Sequence, residues 1–404
     1  MYKLYDHQQR IVDMNRKKFG IFTGLGGGKT ITALALAKKN NVYTLIIVPK
    51  PVRNKWEKAM EKMEVKGDVY TREEFKKMVS VIPGELYGAI IVDEAHAHFA
   101  TLKALGHKKL MWFIKKWQIE NIWLLTGTPY TSSVWSVYGL AKVLGHDWNY
   151  FTFQQRFFTQ QWLGRRTIPV QREGIEDEVA ELVNKIGDVV SLQDCVDVPD
   201  QIIDVEHFEM TKEQKDANAK ILAEESGPLV RVTKYHQIAS GTLKGNEFVE
   251  NSEFKSEKND RIVEYAENNK KLIVFSRYNL HLELIAKELT KKKIPHGIIN
   301  GHVKDKESLI GHAEMSDRFV LLINASCSVG YELPSFPLVL FASLSYSFVD
   351  YVQAMGRVLR INALKKNVYK ILLTSGTVDE AIWRSIQKKQ SFNDAIFIKE
   401  HEQS

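Results

Sequence analysis

Two successive α/β domains, each a parallel sheet flanked by helices, are what the sequence predicts, and three observations predict them. Short apolar, β-rich runs alternate with helical patterns in both halves of the chain, the arrangement that builds parallel sheets with helices on their faces. The runs are continuously apolar rather than alternating, as strands buried on both faces must be. The length of 404 residues exceeds one core of ordinary size and gives two domains of roughly 200 residues each.

In chain order, the first half offers strands at 20–23 (GIFT), 44–49 (TLIIVP), 89–93 (AIIVD) and 122–126 (IWLLT). The second offers 271–276 (KLIVFS), 297–300 (GIIN), 319–326 (FVLLINAS), 338–343 (LVLFAS) and 368–374 (VYKILLT). Between the two sets, 151–190 and 212–259 are strand-poor and charged and read as helical elaborations on either side of a connector near 198–201. The expected domains are therefore 1–198, with a helical insertion at about 135–190, and 199–404, with a helical insertion at about 210–260. No short-period repeat is visible, although the halves themselves could be duplicates in structure.

Composition narrows the class of protein. Hydrophobic residues at 44% and charged residues at 26% are globular values, and no apolar run approaches the roughly 18 residues of a membrane span. The first residues, MYKLYDHQQR, lack the apolar stretch of a secretory signal, so a soluble, cytoplasmic protein is expected. Cys195 and Cys327 are the only cysteines, too few for a disulfide framework, and a reducing compartment follows. A net charge of +7 suits a polyanionic partner but is supporting evidence only.

The motifs sit where strands end. After the strand ending at Thr23, GLGGGKT feeds directly into the Ala- and Leu-rich TALALAKK, the strand, loop and helix context that a phosphate loop requires. Gly26, Gly27 and Gly28 let backbone N–H groups converge on phosphates, the helix N-terminus adds its dipole, and Lys29 reaches the β and γ phosphates. Thr30 is placed to ligate magnesium. Thr23 stands where the strict pattern has Gly; the plain alternative is a glycine turn capping a helix. In the block DEAH, Asp93 follows an apolar strand and would hold magnesium, while Glu94 would orient and deprotonate the attacking water. His96 would couple this site to the next motif. His96 and His98 also raise a zinc reading, which lacks further nearby ligands in sequence.

Upstream, LYDHQ puts Gln8 where an amide could read adenine. In 48–56 (VPKPVRNKW), Lys50 and the loop backbone follow a strand and could meet a nucleic-acid phosphate, a solvated loop being the alternative. Thr126 in LLTGTP supplies a hydroxyl suited to a relay between the nucleotide and nucleic-acid sites. In the second half, Ser276 and Arg277 of FSRY, and Ser326 at the start of SCSVGYEL, offer phosphate contacts that read no bases. In QAMGRVLR, Arg357 and Arg360 lie three residues apart and are expected on one helical face. A guanidinium brought onto the γ phosphate from another domain makes hydrolysis depend on domain closure.

On these blocks the chain resembles helicase superfamily 2 and, more narrowly, the Swi/Snf-type DNA translocases. The narrower likeness rests on LYDHQ, LIIVPKPVRNKW, VDEAH, LLTGTP followed by VWSVYGL, KLIVFSRY and QAMGRVLR, with VYKILLTSGTVDEAI similar to that group's closing segment. It runs from Leu4 to about Gln390. The resemblance implies two tandem RecA-like domains, ATP with Mg2+ in a cleft, and DNA crossing both domains. The family's ATP-site roles fall by position on Gln8, Gly26, Gly28, Lys29, Thr30, Asp93, Glu94, Arg357 and Arg360. Gly27 stands where the group often has Leu, Glu332 where it often has Asn, and Ile361 and Asn362 replace a common Ile-Gly or Gly-Gln continuation. No histone-reading module or nuclease motif is recognisable. The minimal build is similar to phage or mobile-element helicases acting on forked and branched DNA, which implies a host-cell cytoplasm and replication or recombination proteins as partners.

The expectation is thus a DNA-stimulated ATPase motor that translocates on duplex, forked or branched DNA. An RNA helicase and a non-hydrolysing nucleic-acid clamp are the alternatives. One region could distinguish this member: Phe151, Phe153, Phe157, Phe158 and Trp162 interleave with Arg156, Arg165, Arg166 and Arg172. Stacking rings beside arginines would make a strand wedge, whereas a helical subdomain with an aromatic core is the favoured reading. The run Lys291, Lys292 and Lys293 reads as a solvated helix end.

Overall fold

A computed structural model of the chain describes residues 3–24, 26–131, 133–162, 166–190, 201–223, 227–245, 250–303, 305–327, 331, 333–358 and 367–398. The chain divides into two units, Met1–Asp197 together with Lys389–Ser404, and Val198–Lys388. Cys195 and the connector at 198–200 lie outside the described residues.

The first unit carries β1 (Lys18–Thr23), β2 (Thr44–Val48), β3 (Gly67–Thr71), β4 (Ala89–Val92), β5 (Asn121–Leu125), β6 (Phe158–Trp162), β7 (Thr167–Gln171) and β8 (Gly187–Val190). Six of them form one sheet in the order β3-β2-β4-β5-β1-β8, every neighbouring pair parallel. Helices Lys29–Asn40, Arg53–Met63, Arg72–Met78 and Leu105–Trp117 make the crossovers between successive sheet strands from β1 to β5. Side chains alternate strictly between the sheet's faces: Leu45, Ile47, Ile90, Val92, Ile122 and Leu124 enter one apolar cluster, and Ile46, Val48, Ile91, Trp123 and Leu125 enter the other. That is the period-2 geometry of a strand buried on both sides, and each such Leu, Ile or Val contributes about 1.5–3 kcal/mol.

The second unit carries β9 (Ile202–Phe208), β10 (Thr242–Leu243), β11 (Ser252–Glu253), β12 (Lys271–Ser276), β13 (His296–Ile299), β14 (Phe319–Asn324), β15 (Leu338–Phe341) and β16 (Val368–Thr374). Its six-stranded sheet runs β13-β14-β12-β15-β16-β9 and is again wholly parallel. Both units are RecA-like α/β domains, but their strand orders differ, so the halves are not literal duplicates.

The sequence missed three sheet strands, and all three are edges. β3, β8 and β9 each have one neighbour only. The outermost, β9, is exposed or half-buried along its whole length, so IIDVEHF reads as polar chain rather than as a buried run. The stretch 151–190 is not purely helical either, since it contains β8 and an antiparallel hairpin in which Phe158 pairs with Gln171 and Trp162 with Thr167. Likewise 210–260 contains the small β10–β11 hairpin beside its helices.

That second insertion is fastened by buried charge. Lys258, fully buried in the helix Glu257–Asn268, lies 2.8 Å from Asp379, and His236 of the helix Pro228–Ala239 approaches the same carboxylate at 3.2 Å. Thr374 N–H donates to Asp379 at 3.0 Å. Burial alone would raise the Asp379 pKa, but Lys258 and His236 outweigh it and hold the carboxyl well below its usual range. Nearby, Tyr278 N–H donates to Ser276 Oγ at 3.2 Å, Ser276 Oγ lies 3.0 Å from His281 Nδ1, and His281 Nε2 lies 2.9 Å from Asn259 Oδ1.

Candidate active site

The loop after β1 is shaped by its glycines. Gly28 caps the helix Lys29–Asn40 in the left-handed region at φ 76°, a conformation that Gly adopts freely. A Cβ there would lie 2.0 Å from Gln8 Nε2. Gln8 is buried and its amide is engaged within the protein, donating to Gly28 O at 3.3 Å and accepting from Tyr5 N–H at 3.0 Å. His7 Nε2 lies 2.9 Å from Gly27 O. The helix Asp6–Met14 therefore fixes the back of the loop. Lys29 Nζ donates to Thr23 O at 2.7 Å and Gly24 O at 3.1 Å, which holds its charge over the loop mouth.

At the carboxyl end of β4, Asp93 N–H bonds Ile47 O of the next strand at 2.9 Å. Its carboxylate accepts from Trp56 Nε1 at 2.9 Å and from Glu94 N–H at 3.0 Å. Glu94 follows in the left-handed region at φ 48°, uncommon for a residue with a Cβ. The buried Arg72 holds it there, donating through Nη2 to both Asp93 O and Glu94 O at 3.0 Å. Burial raises the Asp93 pKa and the neighbouring Glu94 adds to the rise. The adjacent carboxylates of Asp93 and Glu94, with the charge of the half-buried Lys29 acting on Asp93, are an oxygen donor set that fits a hard divalent cation.

His96 joins this acid pair to β5. Its Nδ1 lies 2.8 Å from Thr126 Oγ1 and 3.3 Å from Glu94 Oε2, and Thr128 N–H donates to Thr126 Oγ1 at 3.0 Å. Burial, helped by the Arg72 charge, lowers the His96 pKa to about 3, so the ring is neutral at pH 7 and its approach to Glu94 is not an ion pair. The zinc reading finds no support: among the described residues no three His, Cys, Asp or Glu side chains converge on a metal position.

In the second unit, Arg277 lies over the Tyr346 ring, 4.6 Å from its centroid. Ser326 is exposed, and its hydroxyl donates to Asn324 Oδ1 at 2.7 Å. The helix Phe348–Met355 ends before Arg357, whose guanidinium donates to Gln353 O at 3.0 Å and Tyr331 O at 2.8 Å.

Residues 256–362 match the family described as the helicase conserved C-terminal domain. A stretch of 124 residues is 36% identical to the SWI/SNF-related matrix-associated actin-dependent regulator of chromatin subfamily A-like protein 1 of Xenopus tropicalis, and 35% identical to the protein of that name from Xenopus laevis. A stretch of 123 residues is 32% identical to the Bos taurus protein. In these blocks the chain is similar to the Swi/Snf-type helicases of superfamily 2. Each match covers 30% of the chain, and the chain spans 13% of the length of the relatives it matches.

One sheet edge of the first unit gathers Gln8, Gly26, Gly27, Gly28, Lys29, Asp93, Glu94, His96 and Thr126. Arg360, Glu332, Ile361 and Asn362 lie outside the described residues, and with Arg360 so does the expected pairing of Arg357 and Arg360 on one helical face; Arg357 itself sits in the turn after the helix Phe348–Met355. Thr126 and Ser276 are fully buried, so their hydroxyls face His96 and His281 rather than a nucleic acid; the outward members of that set are Lys50, Arg277 and Ser326. Sequence reasoning missed Trp56 and Arg72, whose importance is set by partners 37 and 21 residues away. The aromatic stretch also divides. Phe153, Phe157 and Phe158 are buried and pack with Trp135, Tyr138 and Trp148, which is the aromatic-core reading. Arg156 and Arg172 both pair with Glu178, at 2.7 and 2.6 Å. Phe151 and Trp162 remain 71% and 65% exposed, and Arg165 lies outside the described residues. Among the described residues no helix is long and apolar enough to cross a membrane.

Proposed function

We propose that this chain is a DNA-stimulated ATPase that translocates on DNA and remodels or unwinds duplex, forked or branched DNA in replication or recombination. The observation that carries the reading is the continuous set Lys29, Asp93, Glu94, His96 and Thr126 at one sheet edge: a phosphate grip, an acid pair and a neutral relay. Lys29 exchanges its two loop carbonyls for the β and γ phosphates of ATP. Gly26, Gly27 and Gly28 turn backbone N–H groups toward the same phosphates. Asp93 and Thr30 would hold Mg2+, which would supply positive charge against the developing negative charge of the phosphates. Glu94 takes the proton of the attacking water, and its backbone, held by Arg72, keeps the carboxylate in place. Arg357 and Arg360 supply positive charge to the γ phosphate in the closed state, which ties turnover to domain closure.

Neutral His96 passes the state of Glu94 to Thr126 and so toward the nucleic-acid side. There Lys50, Arg277 and Ser326 meet phosphates, a contact set that grips without reading bases. Gln8 reads adenine only after giving up Gly28 O. A cytoplasmic setting, with replication or recombination proteins as partners, belongs to the same proposal.

The test is steady-state ATP hydrolysis with no nucleic acid, single-stranded DNA, duplex DNA, a four-way junction and RNA, with Glu94→Gln as control. Strong stimulation by duplex or junction DNA, lost by about 100-fold or more in Glu94→Gln, is expected. Best stimulation by RNA would replace this reading with an RNA helicase, and no hydrolysis under any condition would replace it with a clamp.

A further inference from the structure

Trp56 has no role in the reaction as described above, yet its position is specific. It is fully buried in the first turns of the helix Arg53–Met63, and its indole N–H donates to Asp93 Oδ2 at 2.9 Å while Glu94 N–H occupies Oδ1 at 3.0 Å. A buried indole needs an acceptor for its N–H, and a carboxylate pinned at both oxygens cannot turn. The helix that carries Trp56 follows directly on the short turn Lys50–Val52, so the indole is covalently close to the exposed Lys50. Arg53, at the junction, bonds Glu74 at 2.8 Å. Glu74 closes the capping box of the helix Arg72–Met78, and Arg72 holds the carbonyls of Asp93 and Glu94. The turn at 50–53 therefore grips the acid pair twice, by its side chain through Trp56 and by its backbone through Arg72.

We propose that Trp56 is a positioning residue that aims the Asp93 carboxylate at its divalent cation and carries displacement of the Lys50–Val52 turn to that carboxylate. This rests on the reading of Asp93 as the metal-holding residue of a nucleotide site. Packing alone would explain burial of the ring but not the direction of its N–H. Coupling through such a contact is reciprocal: if nucleic acid at the turn changes cation affinity, the cation changes nucleic-acid affinity equally.

The experiment measures Mn2+ binding in the presence of ADP by electron paramagnetic resonance, with and without duplex DNA. It compares the wild-type chain, Trp56→Phe, and a chain carrying benzothienylalanine at position 56, which keeps the ring's shape and lacks only the N–H. Removing one hydrogen bond to a charged group should weaken Mn2+ binding by about tenfold or more, with metal-free ADP affinity and melting temperature unchanged in the benzothienyl chain. DNA should shift Mn2+ affinity in the wild type and fail to shift it in either replacement. Equal Mn2+ affinities in the wild-type and benzothienyl chains would overturn the positioning role. A DNA shift of equal size in both, or none in the wild type, would overturn the transmission. A wild-type chain that binds ADP but no Mn2+ would instead sink the metal assignment to Asp93, and one that binds neither would sink the nucleotide-site reading itself.

Discussion

Lys29 spends its charge on two carbonyls of its own loop, and that arrangement separates two effects of removing it. The fold loses contacts that water can replace at a half-exposed site, whereas a phosphate loses its principal cation. Lys29→Ala is therefore expected to weaken ATP and ADP binding by about tenfold or more while leaving the melting temperature nearly unchanged; unaltered affinity in a fluorescent-nucleotide titration would put the phosphates elsewhere. That Lys29, Asp93 and Glu94 follow strand ends was legible, because each comes soon after a continuously apolar run. Trp56 and Arg72 were not, since an indole and a guanidinium acquire their roles only when the fold brings β4 against them. Thr126 and Ser276 mark the limit of reading by residue type: a hydroxyl at a strand end can face solvent or core, and here both face a buried histidine.

Among the elements, every interior sheet strand was legible and, of the four edges, only β13 was. A strand covered on both faces must be apolar throughout, whereas β3 (GDVYT) and β9 (IIDVEHF) need to satisfy one neighbour and admit Asp, Glu and His. The helix end at Met355 was equally hidden, because nothing in QAMGRVLR except Gly356 marks it. The helices of the second insertion depend on the Lys258–Asp379 pair, and breaking a buried pair by removing one partner costs about 3–5 kcal/mol. Lys258→Met should lower stability by that amount in denaturant titration. Adding Asp379→Asn, which keeps an acceptor for Thr374 N–H, should recover much of the loss. A cost below about 1 kcal/mol for Lys258→Met would mean that the pair fastens nothing.

Over the whole molecule, two buried imidazoles set a common acid response. Burial lowers both His96 and His281 to about 3, helped by Arg72 in the first case and Lys258 in the second. An unfolded chain takes up those protons near 6.5, so the unfolded state binds more protons between pH 6.5 and 3. Their contribution is complete above about pH 6.5 and is lost as pH falls toward 3, at up to about 1.4 kcal/mol per pH unit for each ring. Asp379, held low, adds nothing to this window until the carboxylate range is reached. Denaturant midpoints at pH 7.5 and 5.5 should show the fall, and His281→Gln should flatten it; a slope that His281→Gln leaves unchanged would mean that His281 titrates normally.

The motif loops of both units leave the carboxyl edges of their sheets, and the opposite edges are left to ordinary turns. Glu120, just before β5, and Lys270, just before β12, are exposed there, and Glu120 makes a surface pair with Lys17, worth about 0–1 kcal/mol. With Cys195 and Cys327 replaced, a cysteine at each of these positions would carry one dye on each unit, so energy transfer would report whether the units move when ATP and DNA are added, without a label touching the candidate site.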